Sequence, residues 1–471
     1  MFSCMLLAPA LAPQGLFAKQ WNVGPTRTYT TPAAVSALVN HGDTVLIDAA
    51  LYPNHPQVYF TKNNLLIRGI GGRPRLEAGA ALAGNANGKA ILVISGGNCW
   101  VDNIEFANAA VPDNNGAGIR QEGCDLKVTN CYFTGNEMGI LGGAYSPCTV
   151  VLEHNVFTNN GSSANPGYQH NVYIGKIDTL IFRYNYSVNA IAEGHELKSR
   201  ARNNIILYNY IGNQSTVDSR TIDLPNGGTA ILIGNIIEQG PGSANSNLFG
   251  FGQEGLSNPA PHNVWLANNT FVNKKNTGNF IQVASGTDTL FLKNNILAGA
   301  KTSGLLQGAP LHLDSAANLV HDAVATAGFV AAASFNYRLL AASPAVDRGV
   351  PINQIVGAYS LKATLQYADT ARYSARPQVG MPDIGAFEFE AATSVSAAAA
   401  ANERLYPNPC RNILYVSCCP DRAPYTVWSQ SGRYVQGGIV LDGCIDTGHI
   451  PSGFYLLQMD GRRHVFIVAQ Q

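Results

Sequence analysis

The chain has 471 residues, with 30 Lys+Arg against 30 Asp+Glu, 13% charged positions and 48 glycines. Zero net charge and 46% hydrophobic content fit neither a strongly basic nucleic-acid binder nor a disordered chain. No apolar run reaches the roughly 18 residues of a membrane span, and low charge with abundant turn formers points to all-β structure.

Residues 5–18 (MLLAPALAPQGLFA) are apolar and end in small residues before Lys19, the pattern of an export signal over residues 1–18. Export implies a secreted or cell-surface protein in an oxidising compartment. Cys99, Cys124 and Cys148 recur at steps of 25 and 24 residues, which fits stacked core thiols better than metal ligands.

That step belongs to a longer periodicity. Short segments of the form apolar–x–Asn–x–apolar recur as VTNCYF (128–133), LEHNVF (152–157), FRYNYS (182–187), LYNYI (207–211), IGNII (233–237), ANNTF (267–271) and KNNIL (293–297). Their central positions are Cys131, Asn155, Asn185, Asn209, Asn235, Asn269 and Asn295. Each unit holds two or three short β-patterned runs and cannot bury its own apolar face, so the units are expected to stack as a solenoid. Asn at one point in every coil fits a turn of positive φ, with side-chain amides bonded into a ladder along the axis.

The repeat resembles the right-handed parallel β-helix superfamily over about residues 20–390. The segment 31–53 (TPAAVSALVNHGDTVLIDAALYP) is similar to that family's entry, a short capping helix and a first strand. The segments SPAVDRG (343–349) and RPQVGMPDIGAFEFE (376–390) resemble its closing pattern. The domain expected over residues 19–392 is followed by an Ala-rich linker, 393–404. YPNPCRNILYV (406–416), SQSGRYV (429–435) and IPSGFYLLQM (450–459) then resemble the type IX secretion sorting domain, a small β-sandwich over residues 405–471. This implies the type IX machinery as a partner and passage across the outer membrane.

In such a solenoid, residues one coil apart lie about 4.8 Å apart and form an outward grid suited to polymers. The densest unusual chemistry occupies QHNVYIG (169–175), EGHELKSRAR (193–202) and SRTIDLPNGG (219–228), with Gln253 and Glu254 one coil further. His170, His195 and Arg220 are each 25 residues apart and should share one line. With Val172, Leu197 and Ile222 inward, alternation directs Asn171, Tyr173, Glu196, Lys198, Thr221 and Asp223 outward. Arg220 then has the opposite parity and would need a bulge to reach the same face.

The pattern E-L-K-S-x-x-x-N (196–203), with Arg220 22 residues after the lysine, resembles the alginate lyase and chondroitinase B family. The resemblance implies Lys198 as base, Arg220 as acid, and Ca²⁺ held by Asn171, Glu193 and Glu196. His195 and Tyr173 are further catalytic candidates, and His170, Arg200, Asp223 and Glu254 are candidates for substrate binding. Elimination from a uronate removes a proton α to a carboxylate, so that carboxylate must be neutralised by a cation or Arg. A lysine crowded by Arg200, Arg202 and Arg220 would lose its proton more readily. Hard oxygen ligands suit calcium, and no H-E-x-x-H or Cys/His motif supports zinc. The expectation is a monomeric polysaccharide lyase acting on an acidic polysaccharide. The rivals are a hydrolase with two carboxylates from Asp178, Glu196, Asp223 and Glu254, and a non-catalytic glycan-binding surface protein.

Overall fold

The computed structural model describes residues 18–302, 305–390, 405–416, 423–429, 434–440, 443–459 and 462–469. The proposed signal core, the linker 393–404 and part of the segment 429–435 lie outside these residues. The chain divides into two compact units, Met1–Glu390 and Ala391–Gln471.

The first unit is a parallel β-helix. Each coil contributes one short strand to each of three sheets, as in Thr179–Arg183, Tyr186–Val188 and Leu197–Ser199. Stacked coil on coil, these make parallel sheets of 12, 11 and 10 strands, called here the first, second and third sheets. The short helix Ala33–Ser36 near the start buries Val35, in keeping with the amphipathic entry.

Alternate side chains of every strand fill the solenoid's interior. Phe106, Phe133 and Phe157 stack there at 5.1 and 4.7 Å between ring centroids. The asparagine repeat lies at the corner between the first and second sheets. Asn155 Nδ2 donates to Asn185 Oδ1 at 3.1 Å, and the chain of amides continues through Asn209, Asn235, Asn269, Asn295 and Asn318. Each Oδ1 also accepts the backbone N–H of the preceding rung, and each amide donates to a carbonyl one coil back, as Asn209 does to Phe182 at 2.9 Å. The ladder forms as expected, but the residue of positive φ is the one before it: His154 (58°), Tyr184 (59°), Tyr208 (55°), Gly234 (66°), Asn268 (53°) and Asn294 (57°). The left-handed residue turns the chain, and the asparagine behind it satisfies the corner's backbone groups.

The cysteine column is only partly in line. Strand register pairs Leu126 with Val150 but with Cys99 on the other side, so Cys124 matches Cys148 while Cys99 stands two residues out. The extra residues lie in the loops of that longer coil.

The closing motifs do not simply end the stack. Their halves join, with Gly349 N–H donating to Pro382 O at 2.7 Å and Ile384 N–H to Ala345 O at 3.0 Å. The buried Arg376 pairs with Glu388 at 2.9 Å and also donates to the carbonyls of Asp383 and Gly385. The segment containing them runs back along the flank. Ile352, Leu361 and Ala363 cover Ile205, Leu207, Ile231 and Ile233 on the first sheet. Tyr337, Tyr367 and Phe387 cover Tyr210, Ile236 and Val272 on the second. The outer row of the third sheet in the same coils is polar instead.

The second unit has a three-stranded sheet (Leu405–Tyr406, Ile413–Val416, Cys444–Asp446) and a four-stranded one (Tyr434–Ile439, Pro424–Ser429, Gly453–Met459, Arg462–Val468). Leu414, Val427, Ile445, Leu457 and Phe466 form their shared core. Among the described residues no helix is long and apolar enough to cross a membrane.

Candidate active site

The third sheet's strands Val172–Ile174, Leu197–Ser199 and Ile222–Leu224 are only three residues long, buried at both ends, so the middle residue of each faces out. Parallel register aligns Tyr173 with Lys198, Lys198 with Asp223, Asp223 with Gly250 and Gly250 with Gln282. One continuous row thus carries an aromatic, a lysine, an aspartate and a glutamine.

Ion pairs knit this row to its neighbours. The Lys198 ammonium contacts Asp223 Oδ2 at 3.1 Å and Glu254 Oε1 at 2.8 Å. Glu254's other oxygen pairs with Arg200 at 2.6 Å. Arg200 also donates to the Tyr173 hydroxyl at 2.9 Å and to Asn226 at 2.8 Å. Arg220 reaches Asp223 Oδ1 at 3.3 Å and Gln282 at 3.4 Å. No bulge is required, because Arg220 lies before its strand and its side chain passes over Gly250. A Cβ at Gly250 would stand 2.8 Å from Arg220 Cδ and 3.3 Å from Asp223 Oδ1. Burial raises Glu254, but the hydrogen bonds from Lys198 and Arg200 outweigh it and hold this carboxylate below its usual range. The lysine is therefore flanked by two carboxylates rather than crowded directly by arginines, which corrects the sequence expectation.

His170 and His195 lie beside the row, ring centroids 4.9 Å apart and planes tilted by 36°. The backbone N–H of His195 donates to His170 Nδ1 at 3.0 Å, so His170 carries its proton on Nε2. His195 Nδ1 lies 3.0 Å from the Arg220 carbonyl, which can only accept. The His195 proton is therefore on Nδ1, and its Nε2 lone pair faces Asp223 Oδ2 at 3.7 Å. Burial depresses both imidazoles, His195 to about 4, so both are neutral at pH 7. The 25-residue line of His170, His195 and Arg220 is thus a chain of direct contacts.

Asn171 and Glu196 do not join this face. Alternation stops at the corner before each strand, and both side chains turn inward, fully buried. They extend a second ladder, in which Asn136 donates to Asn160 at 2.9 Å, Asn160 to Asn171 at 2.8 Å and Asn171 to Glu196. The other Glu196 oxygen accepts from Ala190 N–H at 2.8 Å. Burial, then the charge of Asp218, raises Glu196 well above the carboxylate range, while burial lifts Asp218 to about 7. Thr221 is likewise buried and donates inward to the Glu238 carbonyl at 2.8 Å. Glu193 is exposed in a loop at φ 62°, with no described bond to the lysine cluster. Asn171, Glu193 and Glu196 therefore do not fit a calcium ion: two are spent on a buried ladder and the third stands apart. Among the described residues no group of three or more His, Cys, Asp or Glu side chains is arranged to hold a metal. Asp178 caps the far corner, accepting Cys148 N–H at 2.8 Å, and is no partner for Asp223.

Sequence reasoning missed Gly250, Asn226, Gln282 and Asn247, the last donating to Gln282 at 2.6 Å. The glycine spacing in FGFGQEG was a signal for the first; the others join through loop length and register.

No family model matches this chain, and no curated protein matches it. Among solved structures it resembles pectate lyase Pel9A, with a TM-score of 0.54 and 15% identity over 80% of this chain and 98% of that one. At that identity the likeness establishes the shared β-helix fold. Looser matches are an Aspergillus niger pectin methylesterase (TM-score 0.30, 14% identity, 67% of this chain and 88% of that one) and a mannuronic acid specific polysaccharide family 6 lyase from human gut microbiota (TM-score 0.27, 11% identity, 62% and 82%).

Proposed function

We propose that the chain is an exported polysaccharide lyase that cleaves a uronate-containing polymer by β-elimination on the third sheet's outer row. The observation that supports this most is Glu254, a surface carboxylate held jointly by Lys198 and Arg200 at 2.8 and 2.6 Å. A uronate carboxylate entering the row takes over those contacts, and Arg220 and Lys198 offset the negative charge that develops as the adjacent carbon loses its proton.

His195 is the base in this reading. It is already neutral, and its Nε2 is bare, whereas the Lys198 nitrogen is engaged by two carboxylates, Asp223 and Glu254. The proton α to the carboxylate passes to Nε2, the electron pair left behind forms the C=C bond, and the glycosidic C–O bond breaks. The Tyr173 hydroxyl oxygen accepts from Arg200, which leaves its O–H free to protonate the departing oxygen. Lys198 as base is the second reading, favoured by its place at the centre of the row. Neither assigns a step to calcium.

Hydrolysis by Asp223 and Glu254 is less well supported, because such a pair needs one protonated carboxyl and Glu254 is held low. The C-terminal unit is read as a type IX sorting domain on its motifs, and deletion of residues 405–471 should then retain the protein inside the cell. The test of activity is a panel of uronate polymers, with and without chelator. Unsaturated, ultraviolet-absorbing ends support elimination; new reducing ends without that absorbance overturn it in favour of hydrolysis, and binding without cleavage in favour of the non-catalytic protein.

A further inference from the structure

A second feature of the same coils lies on a different face. Where the back-folded segment crosses the second sheet, a cavity of about 400 Å³ opens between them. Tyr186, Tyr210, Tyr337 and Tyr367 are among its walls, and Arg338 and Asp369 also border it. Tyr186 is the half-buried ring of the four, tilted by 45° against Tyr210 at 5.3 Å, while Tyr210, Tyr337 and Tyr367 are buried behind it, Tyr210 and Tyr367 tilted by 54° at 5.8 Å. Tyr210 is fixed from below by its hydroxyl bond to the buried Glu238, which pairs with Lys274 at 2.8 Å.

The polar groups here are poorly satisfied. Gln214 bridges the Tyr186 and Tyr210 hydroxyls only through long contacts of 3.4 Å each. The Tyr337 hydroxyl is buried with no hydrogen-bond partner of ordinary geometry. Arg338 lies over the Phe387 ring at 4.9 Å, and neither it nor Asp369 forms an ion pair among the described residues. A packed core would leave no cavity of this size, and opposite charges on one rim without a bridge leave room between them.

We infer that this cavity is a sugar-binding site taking one neutral pyranose residue, separate from the charged row and independent of the lyase reading. A pyranose presents an apolar C–H face to a tyrosine ring and a rim of hydroxyls, which are the complements of these walls and of Asp369, Gln214 and Arg338. A phosphate or carboxylate ligand is disfavoured, because the single cation is offset by Asp369. The third sheet, by contrast, selects carboxylates with three cations.

The test is isothermal titration and saturation-transfer NMR on the full chain, using a panel of neutral mono- and disaccharides with galacturonate and mannuronate for comparison. Binding of a neutral sugar should weaken about tenfold in Tyr186→Ala, the loss expected for one stacked ring. It should weaken in Asp369→Asn, an exposed change that leaves folding intact, and persist in Lys198→Ala. No neutral sugar bound, binding lost in Lys198→Ala but kept in both cavity variants, or uronates bound here in preference, would each overturn the assignment.

Discussion

Glu254 and Lys198 lie 56 residues apart in sequence, and the lysine donates to the glutamate at 2.8 Å. The contact exists because Asp223 and Gly250 bring two further coils into register above Lys198, and the turn after Gly250 returns Glu254 over them. A carboxylate whose side chain is 44% exposed thus stands where an acidic substrate would bind.

Replacing Glu254 by Gln should therefore leave Lys198 paired with Asp223 alone and Arg200 without its carboxylate, freeing charge for a substrate carboxylate. KM for oligouronates is expected to fall by about three- to tenfold. Steady-state kinetics on a defined oligomer decide it, and a rise in KM would mean that Glu254 itself holds the substrate.

Gly250→Ala places a methyl group 2.8 Å from Arg220 Cδ. The arginine must shift, so turnover should drop by about ten- to a hundredfold, while thermal stability changes little because the strand's backbone is ordinary. Unchanged turnover would remove Arg220 from the reaction.

Acid should inactivate the protein and remove the stability that its buried neutral histidines supply. His55 and His195 have folded pKa values of about 4, below their ordinary 6.5, and His170 is lowered in the same direction. At these three sites the unfolded chain binds more protons than the folded one between those values, so the histidines' contribution to stability rises with pH. Glu196 and Asp218 oppose it, because their raised carboxyls keep protons that the unfolded chain gives up. The histidine contribution is fully present above about 6.5 and lost as pH falls toward 4. Denaturant midpoints measured across this window should show a difference between wild type and His195→Gln that grows as pH rises from 4 to 6.5; a slope identical in the variant would contradict the buried neutral imidazole.

The ladder is expected to carry stability rather than chemistry. Asn209→Ala strands the Phe182 carbonyl and the Asn185 N–H in a dry corner and takes one acceptor from the Asn185 amide. The cost should be roughly 2–4 kcal/mol. Equilibrium unfolding would show it, and Asn98→Ala, at an exposed turn, should cost much less.

These residues also show what a single sequence can disclose. The solenoid was legible because one corner asparagine recurs in coil after coil, and its hydrogen-bonding need is the same at each. The outward row was legible where strict alternation held, at Tyr173, Lys198 and Asp223. It failed two residues earlier, at Asn171, Glu196 and Thr221, because period-2 alternation ends where the strand meets a corner, and corner side chains turn inward to satisfy the backbone. Glu254 and Gln282 join the site through loop length and register, which periodicity does not specify. The path of residues 324–390 along the flank was illegible for the same reason: its partners are apolar residues on the outer faces of strands, indistinguishable in sequence from core.

The most direct test is the release of unsaturated uronate ends by the wild-type chain, His195→Ala and Lys198→Ala, followed across pH. Wild type should form them at a rate that is flat from neutral pH down to near 5 and falls toward 4, with both variants reduced by at least a hundredfold. A rate that climbs steadily into the alkaline range and survives in His195→Ala would move the base to Lys198. Full activity in both variants would show that the charged row of the third sheet is not where the polymer is cut.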